Sequence, residues 1–141
     1  MSGRASRGAR ELAPRTEAEI QKAILAYLKL VPGVVAWKAG TGSFRATYKG
    51  RERFVRIGKV GVSDIIGWKS ETVWTNEETP PPYVAYRLRR HWPRFLAIEV
   101  KNRRGVVTPE QRAFLDSVKA AGGIALIARS VADVQKELPT P

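Results

Sequence analysis

The apolar positions along the chain change period several times, and each change predicts an element. In "TEAEIQKAILAYLKL", Thr16 to Leu30, and just past it, Ile20, Ile24, Tyr27, Leu28 and Val31 fall on one stripe of a helical repeat. Thr16 with Glu19 makes a capping-box pair, so the helix is predicted to start there. "PGVV" ends it, and "VVAWK" (Val34–Lys38) reads as a first strand. The basic, aromatic segment from Gly40 to Gly58 predicts a hairpin turning at Lys49-Gly50, and "DIIGW" (Asp64–Trp68) a second strand. Ser70 to Pro82 is polar, ends in three prolines and reads as a loop. "YVAYRLRR" (Tyr83–Arg90) fits either an extra strand or a short helix, and "RFLAIEVK" is the next strand. In "TPEQRAFLDSVKAAGG", Thr108 caps, Pro109 suits the first helical position and the glycines close the helix. "IALIA" (Ile124–Ala128) is a short buried strand, and Ser130 caps a last helix to about Leu138. This order predicts a single α/β domain with a mixed sheet.

Within "LAIEVKNRRG", alternation puts Phe95, Ala97, Glu99 and Lys101 on one face and Leu96, Ile98 and Val100 on the other. The aliphatic face is expected to be the more buried. Glu99 and Lys101 then emerge together at the strand's end; the plain reading is a surface ion pair. Asp64, in "GKVGVSDIIGW", opens the other apolar strand and by itself reads as a turn residue or cap. If the two strands are neighbours, Asp64 and Glu99 converge, and two carboxylates at one place repel unless a cation joins them.

Composition narrows that cation. The 141 residues contain no cysteine and one histidine, His91. Thiolate and multi-histidine metal sites are excluded, leaving carboxylates, which favour Mg²⁺ or Mn²⁺. A lysine beside such an ion could hold or deprotonate a water and steady charge on a phosphate. The net charge of +12 points to a polyanion, most simply nucleic acid. The segment 1–15 carries four arginines and one glutamate and reads as a solvated, disordered tail, so most of the positive charge belongs to the rest. It has no long apolar core of a secretory signal, and small size without targeting signals suggests an intracellular, cytoplasmic protein of bacterial or phage origin.

"GVSDIIG", then "AIEVK", then "TPEQRAFL" and "GG" before an apolar strand resemble the VRR-NUC branch of the PD-(D/E)xK nuclease superfamily. The matching segments run from about Glu17 to Val134, and the ordered series is far more specific than a lone ExK. The resemblance implies a restriction-endonuclease-like αβββαβ core spanning 16–138. It also implies Asp64, Glu99 and the Val100 carbonyl as metal ligands, Lys101 as the catalytic lysine and Gln111 as an active-site glutamine. The family's helix-one acid maps onto Glu17 of "EAEIQ", which shares the stripe of Ile20 and Ile24, whereas Glu19 has its capping task. Thr108-x-x-Gln111 is also a capping box, so Gln111 has two competing roles.

By the same resemblance the substrate is DNA, with branched or flap structures in view, and small stand-alone members act as homodimers on four-way Holliday junctions. A restriction-type endonuclease and a non-catalytic nucleic-acid-binding module are the alternatives. Candidate DNA contacts are Lys38, Arg45, Arg53, Arg56, Lys59, Arg103 and Arg104, with Trp37, Phe44, Tyr48 and Trp92 as candidates to stack on bases. Two segments depart from compact members. One is the basic arm "FRATYKGRERFVR"; the other is an insertion over about 70–94, read as an elaborated hairpin, a DNA-contacting flap or an oligomer surface.

Overall fold

The computed structural model describes residues 15–40, 42–58, 60–78, 81–82 and 85–141. The basic tail up to residue 14 and the candidate Lys59 lie outside the described residues, as do the side chains of Phe44 and Arg56.

Helix α1 (Glu17–Leu28) begins where its capping box predicts. The Thr16 side chain accepts the Glu19 N–H, and Glu19 Oε2 accepts the Thr16 N–H at 2.9 Å. Its buried residues are those of the apolar stripe: Ile20, Ile24, Tyr27 and Leu28. There follow β1 (Val34–Lys38), β2 (Gly42–Tyr48), β3 (Arg51–Ile57), β4 (Ile65–Glu78), β5 (Ala85–Val100), α2 (Pro109–Ala120), β6 (Ile124–Ala128) and α3 (Val131–Glu137). The main sheet runs β1-β4-β5-β6, with β5 and β6 parallel and the other neighbours antiparallel. This is the expected mixed sheet flanked by helices, consistent with a restriction-endonuclease-like fold. β2 and β3 pair as a separate hairpin turning at Lys49-Gly50.

Helices cover both faces. Leu96, Ile98 and Val100 of β5 pack with α1, α3 and Ile65 of β4. Ala97 and Ala125 pack under Leu115 and Val118 of α2. The expectation of one more buried face is therefore corrected: residues 96–100 are buried throughout, as in a strand sandwiched between helix layers. The Tyr27 hydroxyl donates to the Leu138 carbonyl at 2.6 Å and ties α1 to the end of α3.

The loop expected over Ser70–Pro82 is a second correction. β4 continues to Glu78, pairing with β5 from Ser70↔Pro93 to Glu78↔Ala85. "YVAYRLRR" resolves accordingly: from Ala85 it is strand, continuous with "RFLAIEVK". The 70–94 insertion is thus a two-stranded ribbon extending the two central strands. A ribbon with solvent on both faces needs no apolar alternation, so its polar composition concealed it, while Thr72, Val73, Trp74 and Thr75 carried the β propensity. Pro93 is tolerated because β6 joins β5 only from Leu96, leaving one side of the strand open at Pro93.

Candidate active site

β4 and β5 pair with Ile65 opposite Ile98, so continuing the register sets Asp64 opposite Glu99. Asp64 Oδ2 accepts the Val100 N–H at 2.8 Å, which holds the aspartate against β5. The loop leading to Asp64 is pressed onto the first turn of α2. Gly61 has φ +83°, and a Cβ there would stand 2.7 Å from the Glu110 carbonyl oxygen. Only glycine meets both conditions.

Glu99 is 0% exposed. Lys101 Nζ lies 2.9 Å from Glu99 Oε1, and the lysine side chain is 11% exposed. The surface ion pair suggested by spacing is therefore a buried one. Apart from this ion pair, neither Glu99 oxygen has a partner among the described residues. Burial pushes the Glu99 carboxyl above its ordinary range; Lys101 pulls it back, and the charges of Asp64 and Glu17 push it further up. Two further acids thus act on Glu99.

Glu17, first residue of α1, accepts the Asn102 N–H on Oε1 at 3.3 Å. A Cβ at Gly105 would fall 2.7 Å from that oxygen and 3.1 Å from Lys101 Cδ. The missing side chain at Gly105 leaves room for the helix-one acid to accept the Asn102 N–H beside the lysine stem. Glu19, by contrast, spends its carboxylate on the cap.

The model of the VRR-NUC domain matches residues 16–132. This chain belongs to the VRR-NUC family. It is a nuclease domain of the PD-(D/E)xK superfamily, so its business is nucleic acid. No curated protein and no solved structure matches it.

Within this VRR-NUC domain, Asp64, Glu99, Lys101 and Glu17 come together, with the Val100 backbone between them. Gln111 serves the α2 cap: its Oε1 accepts the Thr108 N–H at 2.9 Å. Lys38 ends β1 opposite Ile65, one residue from Asp64. Arg103 and Arg104 are exposed in the loop following Lys101. Arg45 and Arg53 lie on the separate hairpin, as does the backbone of Arg56. Among the described residues no group of three His, Cys, Asp or Glu side chains forms a metal cluster.

Arg129 escaped notice in the sequence. Its Nη1 donates to the Asn102 carbonyl at 2.6 Å and the Gly105 carbonyl at 2.9 Å, pinning the loop that carries Arg103 and Arg104. The signal was its position: it directly follows β6, the strand parallel to β5, where the carboxyl ends of parallel strands gather functional groups. Ser63 Oγ, beside Asp64, is also buried without a hydrogen-bond partner among the described residues.

Proposed function

We propose that this VRR-NUC domain is a divalent-metal-dependent DNA phosphodiesterase whose centre is built by Asp64, Glu99 and Lys101. One observation carries the reading: a fully buried glutamate paired with Lys101 whose oxygens find no further partner among the described residues, with a second carboxylate opposite it. A buried carboxylate balanced by a single ammonium keeps unused acceptor positions, and a cation would complete its surroundings. The donor set of Asp64, Glu99 and the Val100 carbonyl is all oxygen, which fits Mg²⁺ or Mn²⁺. Bound there, such an ion would supply Lewis-acid polarisation of a phosphate oxygen and a water of lowered pKa.

The chain's own groups supply the rest. Asp64 is oriented by the Val100 N–H, so it needs no rearrangement to act as a donor. The Lys101 ammonium stands at the same spot and is suited to orient the attacking water or neutralise charge on the scissile phosphate. Glu17 approaches from α1 and suits a role in holding a water or the lysine. Arg103 and Arg104 follow Lys101 in its loop and Lys38 ends β1 beside Ile65; all three are candidates for phosphate neutralisation.

Branched DNA is the proposed substrate, and a two-fold dimer would present two centres to a two-fold junction. The experiment is cleavage of four-way junction, flap, single-stranded and linear duplex DNA in Mg²⁺, Mn²⁺ or EDTA. Cutting of the branched forms only with metal, lost in Lys101→Ala, is expected. Cleavage that survives EDTA removes the metal reading. Binding without cleavage under every condition removes the enzymatic one.

A further inference from the structure

The sheet face that carries Asp64 and Glu99 is only half covered. On that face α2 packs over Ala97 and Ala125 of β5 and β6. Register places Trp37 opposite Ile66, Val35 opposite Trp68, and Trp68 opposite Phe95, all on the same side as Asp64. Two positions alternate onto that side further along the ribbon: Trp74, opposite Arg89, and Asn76, opposite Arg87. Trp37, Trp68, Phe95 and Trp74 are between 39% and 51% exposed. Large exposed aromatics grouped on one face mark a binding surface.

From this surface we infer a stacking platform for unpaired nucleotides, leading from the ribbon towards the catalytic carboxylates. The inference rests on the nucleic-acid reading above and names the strand form that the centre receives. Three features select this occupant. The surface is aromatic, and every base has a π-face to stack, whereas paired bases in a duplex hide theirs. Trp37 and Trp68 meet edge to face, with centroids 5.7 Å apart at 76°, so one ring face is met by its partner's edge and the others are left for a base. Cations along the ribbon on the same face include Arg87, whose guanidinium lies 4.8 Å from the Trp74 ring centroid, and Arg89. They would attract phosphates strung between stacked bases.

A second copy of this chain seated on the same face would set these arginines against their counterparts, in a protein of net charge +12. An open groove of about 620 Å³ borders the platform at Phe95, between Pro93 and the end of α2 at Val118 and Gly122. Ligand clefts span about 300–1,000 Å³, so it offers room for a base turned off the row.

The platform lies on the strands that hold Asp64 and Glu99, so an unpaired strand on it points its backbone at the centre. At the register spacing of about 3.4 Å per residue, Trp68 stands about 14 Å from Asp64 along β4, and Trp74 about 34 Å. Several nucleotides are therefore held before the scissile phosphate. The preferred substrate is a duplex or branch with a single-stranded segment adjoining the cut.

The test is binding in EDTA, which separates recognition from cleavage. Fluorescently labelled single-stranded oligonucleotide, duplex with a single-stranded extension, and blunt duplex are titrated with wild type, Trp68→Leu, Trp68→Phe and Phe95→Leu. Circular dichroism and sedimentation are run on each variant. The inference expects Trp68→Leu to weaken single-strand and extended-duplex binding about tenfold, with blunt duplex changed less than about twofold and Trp68→Phe largely restoring affinity. Equal loss on all three DNAs, no loss on any, or dissociation of a dimer with single-strand affinity retained overturns it. If Trp68→Leu does not fold, Phe95→Leu is held to the same outcomes. Wild type that binds no DNA at all removes the nucleic-acid reading together with the platform. Blunt-duplex binding without the aromatic dependence removes the platform alone.

Discussion

Three ion pairs on the two long central strands have the same separation, 2.9 Å: Lys101–Glu99, Arg94–Glu71 and Arg90–Glu77. Their surroundings differ. At the Glu99 end β1, β6 and three helices wrap the strands, and the glutamate is fully buried. Along the ribbon the same strands have only each other, and the Arg90 and Glu77 side chains remain 49% and 35% exposed. Distance alone therefore says little about an ion pair. In water the pair is screened and nearly neutral in energy; behind helices, desolvation leaves the glutamate short of stabilisation and able to bind a cation.

The largest effect should come from deleting charge at the buried end. Asp64→Asn and Lys101→Ala should each lower DNA cleavage by about 10²–10⁴-fold, whereas Arg90→Met on the ribbon leaves the single-turnover rate at saturating enzyme unchanged. Comparable losses in both would erase the distinction between the ends. Replacing 72–91 by a two-residue turn should weaken DNA binding by about tenfold or more. It should also flatten the slope of log affinity against log salt by about 0.9 for each phosphate that Arg87, Arg89 and Arg90 neutralise, while the remaining domain still melts cooperatively. An unchanged salt slope would show that the ribbon's arginines do not meet phosphates.

Stability should separate the pairs next. In EDTA at pH 7, Lys101→Met strands the buried Glu99 and should cost about 2–3 kcal/mol in urea unfolding, less than for a wholly enclosed pair because the lysine keeps some exposure. Arg90→Met should cost about 0.5 kcal/mol or less. Equal costs would mean that Glu99 is better solvated than its burial implies.

The pH dependence is the finest probe. The Glu99 carboxyl is raised from 4.5 in the folded state, so between 4.5 and the raised value the folded chain binds more protons than the unfolded one. Its penalty is absent below 4.5 and grows as pH rises through the folded value. Metal-free wild type should therefore lose stability relative to Glu99→Gln over that window, by about 1.4 kcal/mol for each unit of elevation. Added Mg²⁺ or Mn²⁺ should reverse the trend by raising the melting temperature of wild type, and not that of Asp64→Asn. A flat difference between the curves would remove the desolvation argument.

Much of the fold was legible because local rules agreed with the global one. Thr16/Glu19 and Thr108/Gln111 announced both long helices, and both capping boxes are present. The aliphatic runs of β1 and β6 began and ended where expected. The ribbon was misread because a strand with two wet faces loses the period-two signature that marks a half-buried strand. Similarly, Gly105 and Arg129 have no local pattern; their importance comes from contacts with Glu17 and with the carbonyls of the 102–105 loop, far away in sequence.

The sequence by itself determined the order of elements, the identity of the acid–lysine couple and the basic character of the chain, because spacing, caps and charge are local or additive properties. Tertiary structure alone decided that Glu99 is dry, that Glu17 accepts the Asn102 N–H, and that Trp37, Trp68 and Phe95 share a face with Asp64 and Glu99. Solvation depends on what folds over a group, and a shared face depends on strand register; neither is a property of any short stretch of chain.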